Sequence, residues 1–304
     1  MKILTIISLL FSLGPVFSYA QSPAATVATY LTAVRQDQRP AAPTELWQNA
    51  EQHHDALTAL APYSFDTLAS VRQQAYYLTK QVGTHSQDNA IRQQAVDQLT
   101  AGLRDEDSGV TGRIYSYLEG FTPADFSPKA RQSVGNLLSE RPPHLSQLLR
   151  LVGTLNLREQ AATLRNLLPD LSARERWTAQ LALARLGDAE ALASVMNRAK
   201  RYPVNDDVVY ELLPDLVYTR QKAALDYLVS IVQSDEKNCT SANPEAEENI
   251  SCGYRVLELL APVIQSFPLT VDKSGDLAVD DYPQALQQAQ QWLNQNTDYQ
   301  VINN

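Results

Sequence analysis

Apolar residues along the chain return at the three- and four-residue steps that place side chains on one face of an α-helix. Val71, Ala75, Leu78 and Val82 form one such stripe, and the segment 89–103 carries another with the same steps. Glycine, proline and polar residues separate the stripes at short intervals, as in helices joined by turns. The predicted helices span residues 44–61, 68–82, 89–103, 110–121, 127–141, 144–155, 158–168, 172–186, 189–200, 206–218, 222–233, 254–266 and 283–294.

A short phrase repeats within this pattern. Residues 70–75 read Ser-Val-Arg-Gln-Gln-Ala, and residues 90–95 read Ala-Ile-Arg-Gln-Gln-Ala. A step of about 20 residues fits one helix plus one turn, and about 40 fits a helical hairpin, so the recurrence is typical of an α-solenoid. Its Arg and Gln positions lie off the apolar stripe, which predicts that they occupy the solvated or the inter-repeat face of each helix. Weaker matches to the phrase occur at residues 112–114, 130–132, 157–161 and 173–176.

The repeating unit has an apolar residue followed by Arg, then Ala, then Leu, and ends at Gly. Residues 71–83 fit this order, and residues 177–188 fit its second half, ending in Leu-Gly-Asp. Over residues 45–235, and more loosely to 294, the chain resembles the HEAT-repeat family of the armadillo-like superfamily. The resemblance implies an all-α, right-handed superhelical α-solenoid of stacked antiparallel helical hairpins. It carries no catalytic residues to transfer, and it is interrupted at Pro142-Pro143, at Pro214 and by a cysteine-bounded loop.

Five regions follow from these patterns. Residues 1–20 are predicted to be a signal peptide, and residues 21–43, rich in Ala, Thr and Pro, an irregular N-terminal lead-in. HEAT-like helical repeats are expected over 44–268, with a disulfide loop at 236–252. Residues 269–304 are expected to form a turn and a capping helix.

The signal-peptide prediction depends on the first twenty residues. Lys2 supplies a positive start, residues 3–13 are apolar, and Ser18 and Ala20 place small residues before a cleavage site at Gln21. An uncleaved membrane anchor is the alternative, but a spanning helix needs about 20 apolar residues. The expected location is therefore periplasmic or secreted, without stable membrane insertion.

Cys239 and Cys252 are the two cysteines of the chain. In an exported protein a lone pair usually forms a disulfide, which here would close a small polar loop. The alternative is half of a metal site, but no histidine lies within fifty residues of either cysteine.

The net charge of −9 argues against a polyanion such as nucleic acid as the main partner. Residues 198–202, which hold two Arg, a Lys and a Tyr, form a small basic cluster. Such a cluster could line a nucleic-acid groove, but cations are also favoured where a helix ends. We interpret this one as the end of the helix at 189–200.

Catalytic, cofactor and metal motifs are not found in the sequence, so no catalytic, cofactor or metal residues are predicted. The four histidines are His53, His54, His85 and His144. The first two are adjacent on a predicted helix and point about 100° apart, so they cannot share one ion. The other two lie at predicted turns.

An acidic turn imitates part of a calcium loop. Asp272, Ser274, Asp276 and Asp280 have the spacing of its first ligands. The glycine is misplaced, however, and Pro283 stands where a bidentate Glu is required, so we predict a solvated acidic turn.

Tyrosines are the candidate partner contacts, because exposed aromatic rings form hot spots in protein interfaces. Tyr210, Tyr218 and Arg176 are the residues predicted to contact a partner. The leading hypothesis is an exported, non-enzymatic scaffold that binds a protein or peptide. A local site is expected where the repeat is interrupted: at Pro142-Pro143, at Pro214 and in the cysteine loop.

Two alternatives remain open. One is an enzyme, or a subunit of an enzyme complex, with a site on the concave face. A deep pocket that brings His85 or His144 against carboxylates would favour it. The other is a structural component of the cell envelope.

Overall fold

The computed structural model describes residues 22–241 and 248–303. The predicted signal peptide at 1–20 lies outside these residues, as does the middle of the predicted disulfide loop. The α-helices are α1 Pro23–Arg35, α2 Glu45–Gln48, α3 His53–Leu60, α4 Ala69–His85, α5 Asn89–Ala101, α6 Ser108–Leu118, α7 Pro128–Glu140, α8 Leu145–Thr154, α9 Ala161–Leu167, α10 Ala173–Arg185, α11 Ala189–Ala199, α12 Leu213–Tyr218, α13 Lys222–Val232, α14 Gly253–Leu260 and α15 Tyr282–Gln295.

The all-helical prediction is confirmed. The regular secondary structure of the described residues is helical, with isolated β-bridges at 239/250, 264/301 and 271/277 but no strand. The stripe of α4 is buried as expected, since Val71, Ala75, Leu78 and Val82 are fully enclosed. The period-3.6 pattern was therefore sufficient to place most helices and their buried faces.

The N-terminal lead-in differs from the prediction. Residues 23–35 form α1, which packs on α3 and α4 and buries Val27 and Leu31. The Ser22 hydroxyl caps the helix and Pro23 occupies its first turn, where the missing N–H costs nothing. The run of Ala and Thr was read as irregular, but apolar contact with α3 and α4 outweighs its modest helix propensity.

Helices near each other in sequence also lie near each other in space. Consecutive helices pack together along most of the chain, and so do many next-but-one helices. These next-but-one pairs are α1–α3, α2–α4, α3–α5, α4–α6, α5–α7, α7–α9, α8–α10, α10–α12, α12–α14 and α13–α15. Each helix is thus covered by its sequence neighbours.

Arginines of the repeated phrase reach past the following helix to the connection after it, from α4 to the connection after α5 and from α5 to the connection after α6. Arg72 on α4 donates through Nε and Nη2 to both carboxylate oxygens of Asp105, at 2.7 and 2.8 Å. Arg92 on α5 does the same with Asp125, at 2.7 and 2.6 Å. These arginines are therefore turned toward another segment of the chain and not toward solvent, with side chains 7 % and 17 % exposed.

The pKa of Asp125 reflects that pairing. Burial alone would raise it, but hydrogen bonds donated by Arg92 and by Thr122 outweigh the burial and hold the pKa below its ordinary value. The pair therefore stays charged at neutral pH.

Pro214 lies at a local change of helix type. We predicted a kink in a helix over 206–218, and the structure has a π-helix, Val208–Leu212, followed by α12. Proline has no N–H to donate to the carbonyl four residues earlier, and Leu213 N–H bonds to Val208, one residue further back than in an α-helix. Similarly, α14 ends at Leu260, before Pro262, and not at Ser266.

Candidate functional site

The strongest candidate site is a cavity of about 380 Å³ between the start of α10, the end of α11 and the π-helix before α12. We call it the aromatic–acidic cavity. The lining side chains that matter for its chemistry are Trp177, Arg198, Tyr202, Asp207, Glu211 and Asp215. Its volume is in the lower part of the roughly 300–1,000 Å³ range of small-ligand sites.

Asp215 fixes the indole that forms one wall of the cavity. Its Oδ2 accepts a hydrogen bond from Trp177 Nε1 at 2.7 Å, and its Oδ1 accepts one from Arg150 Nη1 at 2.8 Å. Both carboxylate oxygens are therefore used by the protein itself. This network ties α8, α10 and α12 together, so the wall is held by three helices.

Cations of the chain lie over aromatic rings throughout this region. The Arg198 guanidinium carbon is 4.3 Å from the centre of a Trp177 ring, and Arg255 is 4.7 Å from the ring of Tyr210. Such cation–π contacts contribute about 0.5–2 kcal/mol each, depending on solvent exposure. The region thus combines aromatic faces with positive groups placed directly on them.

Tyr218 is buried next to the aromatic–acidic cavity and does not line it. The guanidinium carbons of Arg150 and Arg185 lie over its ring, 4.3 and 5.0 Å from the ring centre. Its hydroxyl donates to the backbone oxygen of Arg150 at 2.7 Å, and burial raises its pKa to about 12. Tyr218 was predicted to contact a partner, but its ring is buried, and it supports the cavity through its contacts with Arg150.

Tyr210 is exposed, as a partner-binding residue should be. It keeps 60 % of its surface accessible and lies on the π-helix beside the aromatic–acidic cavity. One face of its ring carries Arg255, which also donates to the carbonyl of Thr240. Tyr210 is therefore connected to the cysteine loop through a single arginine.

Arg176 holds a turn together. Its side chain donates to the carbonyls of Leu168 and Leu171, at 3.0 and 2.9 Å, and so closes the bend before α10. The residue is exposed, but its nitrogens are committed to the chain's own backbone. Arg176 and Tyr218 thus both support the fold around the cavity without lining it.

Cys239 and Cys252 form the predicted disulfide, and both are buried. The loop that they close is anchored on the segment before the π-helix, because Asp206 accepts hydrogen bonds from the N–H and the hydroxyl of Thr240. The Thr240 hydroxyl holds the pKa of Asp206 below its ordinary value.

The unreduced protein is expected to show no thiol available for alkylation. Both sulfurs are in one bond, and both cysteines are buried against the core of α12 to α15. Iodoacetamide labelling under denaturing conditions, with and without prior reduction, measures this by mass. Two labelled cysteines without reduction would contradict the disulfide.

A second cavity, of about 370 Å³, adjoins this region between α6 and α8. Its walls include Tyr115, Phe121, Phe126 and Leu151, with Arg150 at its edge. Burial raises the pKa of Tyr115 to about 12, so its hydroxyl stays protonated. Because Arg150 also binds Asp215, the two cavities share one ion pair as a boundary.

The two histidines of interest bond to backbone carbonyls. His85 Nδ1 lies 2.8 Å from the Gln81 oxygen, and His144 Nε2 lies 2.7 Å from the Ser108 oxygen. Within residues 22–241 and 248–303, no three His, Cys, Asp or Glu side chains group as metal ligands. The turn at 272–276 bonds to itself, with Asp272 Oδ1 accepting from the Ser274 N–H at 2.7 Å.

Sequence reasoning missed the residues that line the aromatic–acidic cavity. Trp177 was assigned to the repeat pattern, and Tyr202 was grouped with the basic end of a helix. Asp207 and Glu211 gave no signal, because their proximity to Trp177 depends on how α12 packs on α10. The proline at 214 was the available clue, since it marked the change of helix type beside the cavity.

No helix in the described part of the chain is both long and apolar enough to cross a membrane. The aromatic–acidic cavity, its supporting arginines and the anchored disulfide loop are the features from which a function can be inferred. Comparisons of the chain with protein-family models, with curated proteins and with solved structures gave no match.

Proposed function

We propose that this protein is an exported, non-enzymatic helical-repeat scaffold that binds a protein or peptide through the aromatic–acidic cavity. The observation that carries the proposal is Tyr202, which keeps 53 % of its surface exposed at the edge of a cavity lined by an indole and three carboxylates. Exposed aromatic residues beside polar groups are typical of interface hot spots.

Two observations support a HEAT-like solenoid as the scaffold. Each helix packs mainly on its sequence neighbours, which is the contact pattern of stacked repeats. The Arg72–Asp105 and Arg92–Asp125 pairs each join residues 33 positions apart, so one inter-repeat bond recurs along the chain. Stacked repeats of this kind present long continuous surfaces to partners.

Export is supported by the disulfide together with the N-terminal sequence pattern. Disulfides persist in secreted and periplasmic proteins, whereas cytosolic thiols stay reduced. Cys239 and Cys252 are bonded, and the sequence before residue 21 has the order of a signal peptide. A periplasmic or secreted location accommodates both features.

The enzyme alternative has less support. A deep pocket that brings His85 or His144 against carboxylates would favour it, but a ring nitrogen of each histidine lies within hydrogen-bond distance of a backbone carbonyl oxygen instead. The cavity that we favour is lined by aromatic and charged side chains and contains neither histidine.

A photo-crosslinking amino acid at position 202 is expected to capture one partner in the native compartment. The side chain at 202 is exposed at the mouth of the cavity, so a bound partner would lie within reach. The measurement is a crosslinked band on a denaturing gel, identified by mass spectrometry.

Position 65 gives the matched control. Phe65 is 85 % exposed at the corner before α4, far along the chain from the cavity, and a crosslinker there should not capture the same partner. Equal capture at 65 and 202, or none at 202, would contradict the proposed function.

A further inference from the structure

The aromatic rings around the aromatic–acidic cavity differ in whether a cation of the chain lies over them. Trp177, Tyr210 and Tyr218 each carry an arginine of the chain, and Lys200 lies 6.0 Å from the ring centre of Tyr227. Among the described residues, the ring of Tyr202 carries no cation, although it is the cavity's most exposed aromatic ring. One aromatic face of the set is therefore open.

The carboxylates that line the cavity differ in whether an ion pair neutralises them. The ion pairs of this region use Asp215, bound to Arg150, and Asp206, bound to Arg255. Asp207 and Glu211 take part in no ion pair within residues 22–241 and 248–303. They lie four residues apart at the π-helix and line the same cavity as Tyr202.

Arg198 does not correct this imbalance. Arg198 is held over a ring of Trp177 and is the one cation among the side chains that line the cavity, where two carboxylates form no ion pair. The contact places a guanidinium carbon 4.3 Å from the centre of an aromatic ring in the cavity wall, a cation–π contact of the kind that a bound cation would also make. The surplus is negative in a chain whose net charge is −9.

We propose that the aromatic–acidic cavity binds an arginine side chain of the partner peptide, an inference that rests on the proposed function and names its ligand. The guanidinium would lie on the ring of Tyr202 and donate hydrogen bonds to Asp207 and Glu211. Arginine fits better than lysine, because a planar guanidinium can stack on a ring while its N–H groups reach two carboxylates.

The test uses three short peptides that differ at one position. The probes are Ac-Gly-Ser-X-Ser-Gly-NH2 with arginine, lysine or citrulline at X, citrulline being the uncharged analogue of arginine. Binding is followed by NMR through the indole N–H signal of Trp177. The arginine peptide is expected to bind about tenfold more tightly than the citrulline peptide, and more tightly than the lysine peptide.

Matched variants localise the binding. Tyr202→Ala and Glu211→Gln are each expected to weaken binding of the arginine peptide about three- to tenfold, because each removes one of the three partners of the guanidinium. Phe65→Ala and Glu159→Gln remove the same side-chain types from exposed positions elsewhere and should leave binding unchanged. Equal binding of the citrulline peptide, tighter binding of the lysine peptide, or no effect of Tyr202→Ala would overturn the inference.

This outcome is separable from that of the crosslinking experiment. A partner captured at position 202 without selectivity for arginine would leave the proposed function in place and remove the inference. Selective binding of the arginine peptide without any captured partner would support the arginine site and contradict the scaffold function.

Discussion

Replacing Arg72 with alanine is expected to lower the free energy of unfolding by about 3–5 kcal/mol, the range for breaking a buried ion pair from one side. The side chains of Arg72 and Asp105 are only 7 % and 3 % exposed. Without the guanidinium, a buried carboxylate would lose two charged hydrogen bonds. Arg72 also donates to the carbonyl of Asp66 at 2.7 Å, so the turn before α4 would lose a partner as well.

The measurement is urea unfolding followed by circular dichroism. Arg104→Ala is the control, because Arg104 pairs with Glu140 at 2.6 Å while both side chains stay more than two-fifths exposed. Exposed pairs contribute up to about 1 kcal/mol, so this variant should lose far less stability. Similar losses for the two variants would show that the buried pair does not stabilise the packing of α4 against the connection between α5 and α6.

Replacing Gly153 with alanine is expected to lower the free energy of unfolding by about 2–3 kcal/mol, as overpacking of a dense core does. A Cβ at 153 would overlap the Tyr218 hydroxyl and lie 3.1 Å from the Cα of Ala182. Tyr218 has little freedom to move, because it is buried, Arg150 and Arg185 lie over its ring, and its hydroxyl is bonded to the Arg150 carbonyl. The gain of up to about 1 kcal/mol in helix propensity would not compensate for this overlap.

A double-mutant cycle tests this explanation. Tyr218→Phe removes the hydroxyl that meets the new methyl group, together with its hydrogen bond to the Arg150 carbonyl. The combined Gly153→Ala and Tyr218→Phe changes should therefore cost less than the sum of the single changes. Strict additivity in urea unfolding would contradict a clash at the tyrosine hydroxyl.

These two changes act on different parts of the molecule. Arg72 belongs to the repeated phrase and stabilises the stacking of the N-terminal helices. Gly153 permits the close approach of α8 to Tyr218, and Tyr218 supports Arg150, which in turn orients Asp215 and the wall at Trp177. The second variant is thus also expected to disturb the aromatic–acidic cavity.

The local sequence pattern predicted the buried helix faces and the cysteine pair, but not the surroundings of Tyr218. The stripes of α4 and α5 placed buried residues correctly, because a helix must cover its apolar face. The cysteine pair was also predictable, since two cysteines allow only one intramolecular bridge. The burial of Tyr218 was not predictable, because nothing adjacent to it in sequence indicates that Arg150 and Arg185 lie over its ring.

The sequence by itself determined that the chain is helical, where most helices lie, and which cysteines pair. These properties depend on contacts between near neighbours, so periodicity and residue type are sufficient to specify them. Only the tertiary structure decided that the repeated arginines cross to Asp105 and Asp125, and that Trp177, Tyr202 and Glu211 line one cavity. Those groupings join residues about 25 to 35 positions apart, and they depend on the packing of one helix on another, which the order of apolar residues does not encode.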